Sequence, residues 1–299
     1  MVDLTGRRVL VTGANSGIGL EACVQLAQMG ADVTMVARDR AKAEAARADV
    51  ETRARRALGA SASRQVRPPD VLLCDMASQS SIRALADEVR RTHARLDILI
   101  NNAGSVSPTR ELTSDGIERT FAVNHLGYFL LTNLLLDLIV RSAPARIVNV
   151  SSVGHRAGTM NFDDLYFDTE PYFIMKAYGR SKLANVLFTR ELARRLHGRG
   201  VTVNCLHPGA VSTNIWSHAM WWVRPLFAVA KLFMLTPQQG GERIVYLATS
   251  PEVEGKTGGY YEANRRVAPS PLAQDDDLAA QLWSVSATLV GLEPRYSIL

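Results

Sequence analysis

Val9-Leu10-Val11-Thr12-Gly13-Ala14-Asn15-Ser16-Gly17-Ile18-Gly19 is the stretch that decides the fold. A short Val-rich run, a turn with three glycines and an amphipathic run beginning at Gly17 describe a strand, a tight turn and a helix in succession. Such a junction is an anion site. Glycines let the backbone approach a pyrophosphate, while free N–H groups and the dipole of the helix N-terminus supply partial positive charge. A glycine pattern alone is weak, since tight turns occur in many folds. Its weight here comes from its place at the first βα junction of an alternating chain.

Outward from this junction, the chain alternates. Short β-rich runs lie at 9–12, 32–37, 71–74, 96–100, 146–150, 201–206 and 258–261, with helical patterns at 17–29, 41–56, 80–92, 114–140, 175–199 and 237–248. The strand runs are apolar without alternation, as strands buried on both faces of a parallel sheet must be. The last helix carries a start signal: Thr236 as N-cap, Pro237 at the first helical position and Gln239 completing a capping box. The class is therefore α/β, a doubly wound parallel sheet of Rossmann type with right-handed crossovers. No repeat or low-complexity linker interrupts it, so residues 1–299 read as a single domain, with 57–69 as a surface loop.

Composition bounds the function. With 299 residues, 47% hydrophobic and 21% charged, the chain can bury a large core and is not disordered. The net charge of +5 is concentrated in Arg-rich stretches at 38–67 and 90–95. No aromatics interleave with those charges and no zinc-finger or RNA-binding signature appears. They read as solvated helix faces, and nucleic acid is not expected as a partner. A basic pocket also suits a polyanionic cofactor. Cys23, Cys74 and Cys205 are too scattered for a disulfide framework or a zinc site, and the histidines give no metal signal. Asp3, Arg7 and Arg8 interrupt any secretory signal, and no uncharged apolar run reaches about 18 residues. No membrane span is expected, and the location implied is cytoplasmic.

Further signatures follow in order: Asn101-Asn102-Ala103-Gly104, Asn124, Val150-Ser151-Ser152, Tyr178-x-x-x-Lys182 and Pro208-Gly209-x-Val211-x-Thr213. Together with the glycine turn, whose spacing is G-x-x-x-G-x-G, the set resembles the short-chain dehydrogenase/reductase family and spans most of the chain. Val123-Asn124-His125-Leu126-Gly127, Ser181-Lys182-Leu183-Ala184-Asn185 and the tail from Ala248 to Trp283 are similar to the retinol dehydrogenase-like branch.

The resemblance implies an oxidoreductase that moves a hydride between a nicotinamide cofactor and a carbonyl or alcohol. It implies cofactor contacts at Gly13, Asn15, Ser16, Gly17, Ile18 and Gly19. Asp75 would contact adenine and Asn102 the adenosine ribose side. Met76, Ala103, Gly104, Pro208, Gly209, Val211 and Thr213 join the same set, as do Tyr178 and Lys182. Related NAD enzymes carry an acidic residue after the second strand. Here that position is Ala37, Arg38 follows, and Asp39 lies one residue further, where it suits capping of the next helix. A guanidinium at Arg38 pairs well with a 2′-phosphate, so NADP(H) is favoured over NAD(H).

Tyr178 and Lys182 are four apart on one helix, hence one turn apart on one face. A free phenol has a pKa near ~10, and lowering it by ~3 units takes about 4 kcal/mol of differential stabilisation, which an adjacent ammonium favours. In the family the lysine also holds the nicotinamide ribose. Ser152 would hydrogen-bond the substrate oxygen as negative charge develops, Tyr178 would serve as acid/base, and Asn124 would position a relay water toward Lys182. Singly, each has a bland reading: a helix face, a turn cap, a buried amide.

Three matters stay open at this level. Ser152 and Tyr178 are separated by an extra segment at 155–175 containing Phe162, Tyr166, Phe167, Tyr172 and Phe173; it either walls a substrate pocket or is a flap packed on the core. Residues 214–235 form a substrate lid whose apolar content at 216–235 suits a lipophilic aldehyde or ketone (retinal-like, steroid-like or fatty), peripheral membrane contact, or packing on the chain itself. The apolar helix at 128–140 serves either the core or a homodimer. A catalytically weak cofactor-binding regulatory protein on the same fold is the alternative function; the glycine spacing disfavours a sugar-nucleotide epimerase.

Overall fold

The computed structural model describes residues 2–58, 66–210 and 235–293. One eight-stranded sheet runs in the order β3-β2-β1-β4-β5-β6-β7-β8. Its strands are β1 Arg8–Thr12, β2 Asp32–Ala37, β3 Asp70–Leu73, β4 Ile98–Asn101, β5 Ala145–Val150, β6 Val201–His207, β7 Tyr260–Glu262 and β8 Arg265–Val267. All neighbours are parallel except the terminal β7–β8 hairpin. The chain reverses its direction of winding between β1 and β4, and at such a switch a crevice opens beyond the strands' carboxyl ends.

Two apolar layers sandwich the sheet. One face carries α1 Gly17–Gln28, α2 Arg40–Leu58 and, later in the chain, Pro237–Thr249. The other carries α3 Gln79–Thr92, a short α4 Arg119–Phe121, α5 Gly127–Arg141 and α6 Ile174–Arg195. The helix Pro237–Thr249 is α7, and its capping box is formed as the sequence requires: Gln239 N–H donates to Thr236 Oγ1 at 3.2 Å, and Thr236 N–H donates to Gln239 Oε1 at 3.0 Å. A last helix, α8 Asp276–Leu289, docks Trp283 onto Phe129, Phe188 and Arg195. Burying side chains such as Leu282 and Trp283 stabilises by about 1.5–3 kcal/mol each, which fixes a helix whose isolated form would be marginal.

Two expectations need correction. The helix expected at 114–140 begins at Arg119. Residues before it form a turn with Gly116 at φ 73°, and the Glu118 carboxylate caps the helix by accepting from Thr120 N–H at 2.8 Å and Phe121 N–H at 2.7 Å. The helix is also not uniform, because Ala122–Leu126 is a π turn between α4 and α5. The stretch Arg119–Arg141 is long and apolar enough to cross a membrane by composition, but 83% of its most apolar window is buried inside the fold, as befits a core helix. Of the residues of α5, only Asp137 and the last residue, Arg141, are exposed, so this helix is spent on the chain's own core.

Candidate active site

Register brings the signatures together. Thr12, Asn101, Val150 and His207 end four adjacent parallel strands, so the residues that follow them emerge on one edge of the sheet. These are the glycine turn, Asn102-Ala103-Gly104, Ser151-Ser152 and Pro208-Gly209.

The turn after β1 is shaped by close approach. Gly13 sits at φ 64°, where a side chain would be strained, and a Cβ there would lie 2.8 Å from Ala103 Cα. A Cβ on Gly19 would lie 2.4 Å from the Gly13 oxygen. Thr12, fully buried, accepts from the N–H groups of Asn102 at 2.9 Å and Ala103 at 3.0 Å. Asn102 Nδ2 donates back to the carbonyls of Thr12 at 2.8 Å and Gly13 at 3.1 Å. Thr12 was not singled out in the sequence; its signal is its place directly before the first glycine. Asn102 thus braces the turn, and its Oδ1 is buried without a hydrogen-bond partner among the described residues. Ser16 is the N-cap of α1, but its side chain makes no capping bond, and no acidic residue occupies the first turn. Asn15, Ser16, Gly17 and Ile18 therefore surround a helix terminus whose donors are available to an anion. Glycine cradles, an orphaned amide oxygen and an open helix N-terminus together fit a dinucleotide.

Beside the turn, Arg38 is exposed and has no ion pair among the described residues; the same holds for Arg40, which the sequence reading passed over. Asp39 caps α2, accepting from Lys42 N–H at 2.9 Å. Ala37 is buried. After β3, Asp75 accepts from Ala77 N–H at 3.0 Å, and Met76 packs against Gly127 at the start of α5. Beyond β6, Gly209 takes φ 97°, and Ala210 and Leu235 are joined by a backbone bond of 2.8 Å. Val211, Thr213 and nearly all of the expected lid, 214–235, lie outside the described residues.

The expected catalytic residues converge. Ser152 lies in the connection after β5, and its Oγ accepts from Gly154 N–H at 3.0 Å. Ser152 and the Tyr178 phenol are hydrogen-bonded, and Gly154 leaves room for the tyrosine ring: a Cβ there would lie 3.2 Å from Tyr178 Cε1. Burial raises the phenol's pKa, and the Ser152 hydrogen bond opposes that rise. Lys182, one turn on, is 3% exposed; burial pushes its ammonium down to about 7. Lys182 Nζ donates to Val150 O at 3.1 Å, so two of its three N–H donors are without a protein partner among the described residues. Its Nζ stands 5.6 Å from the Tyr178 ring centroid. Burial thus favours the protonated phenol.

Asn124 is fully buried in the π turn, a distortion often found at functional positions. Its amide clamps Ser105, accepting from the N–H at 2.8 Å and donating to the carbonyl at 3.0 Å, and also donates to Ser181 Oγ at 3.0 Å. Both Nδ2 hydrogens are used, so the side chain ties the loop after β4 to α6.

The segment 155–175 is a packed flap for most of its length. The Asp164 carboxylate gathers the N–H groups of Asp168 at 2.6 Å and Glu170 at 2.8 Å. Arg180, 1% exposed, donates to the carbonyls of Asp164 and Leu165 and lies 4.1 Å over the Phe167 ring. Phe162 and Tyr166 pack on the core, and the Tyr172 hydroxyl donates to Ser107 O at 2.8 Å. Its end differs: Phe173 and Met175, at the start of the helix that carries Tyr178, are 63% and 58% exposed, and Val153 next to Ser152 is 46% exposed.

The comparisons with known proteins agree with this geometry. Residues 7–222 match the family model for short chain dehydrogenase. Human retinol dehydrogenase 14 is 47% identical over 293 residues, covering 96% of this chain and 87% of that protein. Among solved structures, an uncharacterised protein from Mycobacterium paratuberculosis superposes with a TM-score of 0.76 at 32% identity, covering 98% of this chain and 96% of its own. The NADP active-site complex of RhlG from Pseudomonas aeruginosa gives 0.67 at 27% identity, covering 93% and 98%. A glycine turn, a Ser–Tyr–Lys cluster on one sheet edge and a family match over most of the chain lead to one conclusion: this chain belongs to the short-chain dehydrogenase family of oxidoreductases.

Proposed function

We propose that the protein is a cytoplasmic, single-domain NADP(H)-dependent reductase or dehydrogenase of a lipophilic aldehyde, ketone or alcohol, with Ser152, Tyr178 and Lys182 as its catalytic residues and Asn124 as the side chain that ties the loop after β4 to them. The observation that carries the reading is the contact of the Ser152 hydroxyl with the Tyr178 phenol one helical turn from Lys182. A bound nicotinamide supplies the hydride for reduction or accepts it in oxidation.

The chain's own groups do the rest. The Gly154 N–H occupies a lone pair of Ser152 Oγ, which leaves the hydroxyl proton to donate to a substrate oxygen as charge builds. Burial keeps the Tyr178 phenol protonated near neutral pH, the state required of a proton donor in reduction. The two free donors of Lys182 suit ribose hydroxyls, and its positive charge, when present, offsets the cost of the phenolate. The glycine turn would hold the pyrophosphate, with Asp75 on the adenine side and Asn102 bracing the turn.

Preference for the phosphorylated cofactor is supported by Arg38, which has no ion pair among the described residues, by Ala37 where an acidic residue would stand, and by the engagement of Asp39 in capping. A lipophilic substrate is supported by exposed Val153 next to Ser152, by exposed Phe173 and Met175 at the start of the helix that carries Tyr178, and by the name of the retinol dehydrogenase relative. The test is oxidation of NADPH and NADH with retinal and a series of straight-chain aldehydes. Efficiency should favour NADPH and rise with chain length by up to about fourfold per methylene, the value of about 0.8 kcal/mol for its burial. Failure to oxidise either cofactor with any of these carbonyls would overturn the enzymatic reading. A flat series would overturn only the lipophilic one.

A further inference from the structure

His155 follows Ser152 by three residues and is fully buried. Its Nδ1 lies 2.7 Å from the Ser152 carbonyl oxygen, and its Nε2 lies 3.1 Å from the Ser270 backbone nitrogen. A carbonyl only accepts and a backbone N–H only donates. One arrangement satisfies both: the proton on Nδ1 and the lone pair on Nε2. The ring is therefore a spacer of fixed polarity between the Ser152 peptide and a segment 115 residues away. Tyr260 on β7 packs edge-on against it, with ring centroids 4.6 Å apart. Arg156 makes a parallel tie, donating to Ala268 O and pairing with Glu262, each at 3.1 Å. Ser152 itself caps the 3-10 turn Val153–Ala157 that carries both residues, with its Oγ held by Gly154 N–H and its carbonyl accepting from His155 N–H at 3.1 Å. The direction of the Ser152 hydroxyl thus depends on how this turn is seated.

We propose that His155 is a positioning residue: it seats the Ser152 turn from the buried side, and keys the serine hydroxyl to the 268–270 segment through the Ser152 carbonyl and the Ser270 N–H. A misplacement of a reacting group by about 1 Å can cost about a hundredfold in rate, so the alignment of one hydroxyl is a large lever. The inference rests on Ser152 as the donor to the substrate oxygen.

The experiment is a double-mutant cycle in the full chain, with kcat, KM and cofactor Kd measured for Ser152→Ala, His155→Ala, His155→Asn and the Ser152→Ala/His155→Ala double variant. If Ser152→Ala keeps kcat within about threefold of the parent, the reading of Ser152 fails, and the inference with it. With Ser152 established, His155→Ala should lower kcat by about 10- to 100-fold while changing cofactor Kd by less than about twofold. His155→Asn returns an N–H at the δ position facing the Ser152 carbonyl, and should recover most of the loss. In the Ser152→Ala background, His155→Ala should cost less than about a further twofold, because the group it positions is gone. An equal loss in both backgrounds, or an Asn variant no better than Ala, would overturn the proposal, as would an unchanged kcat in His155→Ala. Should His155→Ala fail to fold, His155→Asn and His155→Gln decide: Asn offers its amide at the δ position, Gln at the ε position. An active Asn variant beside an impaired Gln variant supports the link to Ser152, and the reverse overturns it.

Discussion

The two halves of the functional edge use their polar groups in opposite ways. Around β1 and β2 groups are left over: the α1 terminus lacks a side-chain cap, Asn102 Oδ1 is orphaned, and Arg38 and Arg40 have no ion pairs among the described residues. Around β5 and α6 most are committed, apart from the two N–H donors that Lys182 keeps without a partner among the described residues. Ser152 is held by Gly154, Asn124 spends its amide on Ser105 and Ser181, and Ser181 Oγ donates to Tyr178 O at 2.8 Å. A surface that recognises an anion must keep donors free until the anion arrives. A surface that moves a proton must hold atoms still beforehand, because reorganisation during the reaction costs rate. Free donors therefore mark the places proposed to meet the cofactor, Lys182 included, and satisfied groups mark the side chains that hold the proposed chemistry in place.

The contrast can be broken most severely on the chemical side. Tyr178→Phe removes one oxygen and keeps the ring that packs on Gly154. It should lower kcat by about 10²–10⁴-fold, the usual cost of losing an acid/base group, with NADPH affinity within about threefold of the parent. Stopped-flow turnover and fluorescence titration of cofactor check this. Retention of a tenth or more of kcat would assign the proton to another group.

On the binding side, Arg38→Asp should act on recognition alone. A charge-assisted hydrogen bond is worth about 1.5–3 kcal/mol, so the ratio of kcat/KM for NADPH over NADH should fall by about 10- to 100-fold. The variant's kcat at saturating cofactor should change little. An unchanged ratio would remove Arg38 from the cofactor site and with it half of the contrast.

The smallest effect at neutral pH concerns His125, in the π turn beside Asn124. It is fully buried, its Nε2 lies 2.9 Å from Ser286 Oγ, and burial lowers its pKa from 6.5 to about 3. The unfolded chain binds a proton there between those values and the folded chain does not. Stability must therefore fall as pH drops below about 6.5, with a slope approaching 1.4 kcal/mol per unit from this residue. His125→Gln should make the slope of unfolding free energy between about pH 6 and 4 shallower by close to one proton, measured by urea denaturation. A slope equal to that of the parent would mean that the ring is protonated in the folded core.

Local chemistry was legible in the order of residues. Strand, glycine turn and helix at 8–28, the capping box of Thr236 and Gln239, and the order of the catalytic signatures each depend on neighbours within a few positions. Periodicity also placed α2 and α6 within a few residues of their observed ends. The tertiary structure alone decided what lies far apart in the chain. It turned 155–175 into a flap by sinking Arg180 beneath it, covered α6 with α8, and added β8 as an antiparallel edge. It committed Asn124 to Ser105 and Ser181, and His155 to Ser270. The physical reason is the range of the interactions. Turn and helix preferences act over one or two turns of chain, whereas the partner of a buried polar group is whichever donor or acceptor packing brings to it, and burial obliges it to find one.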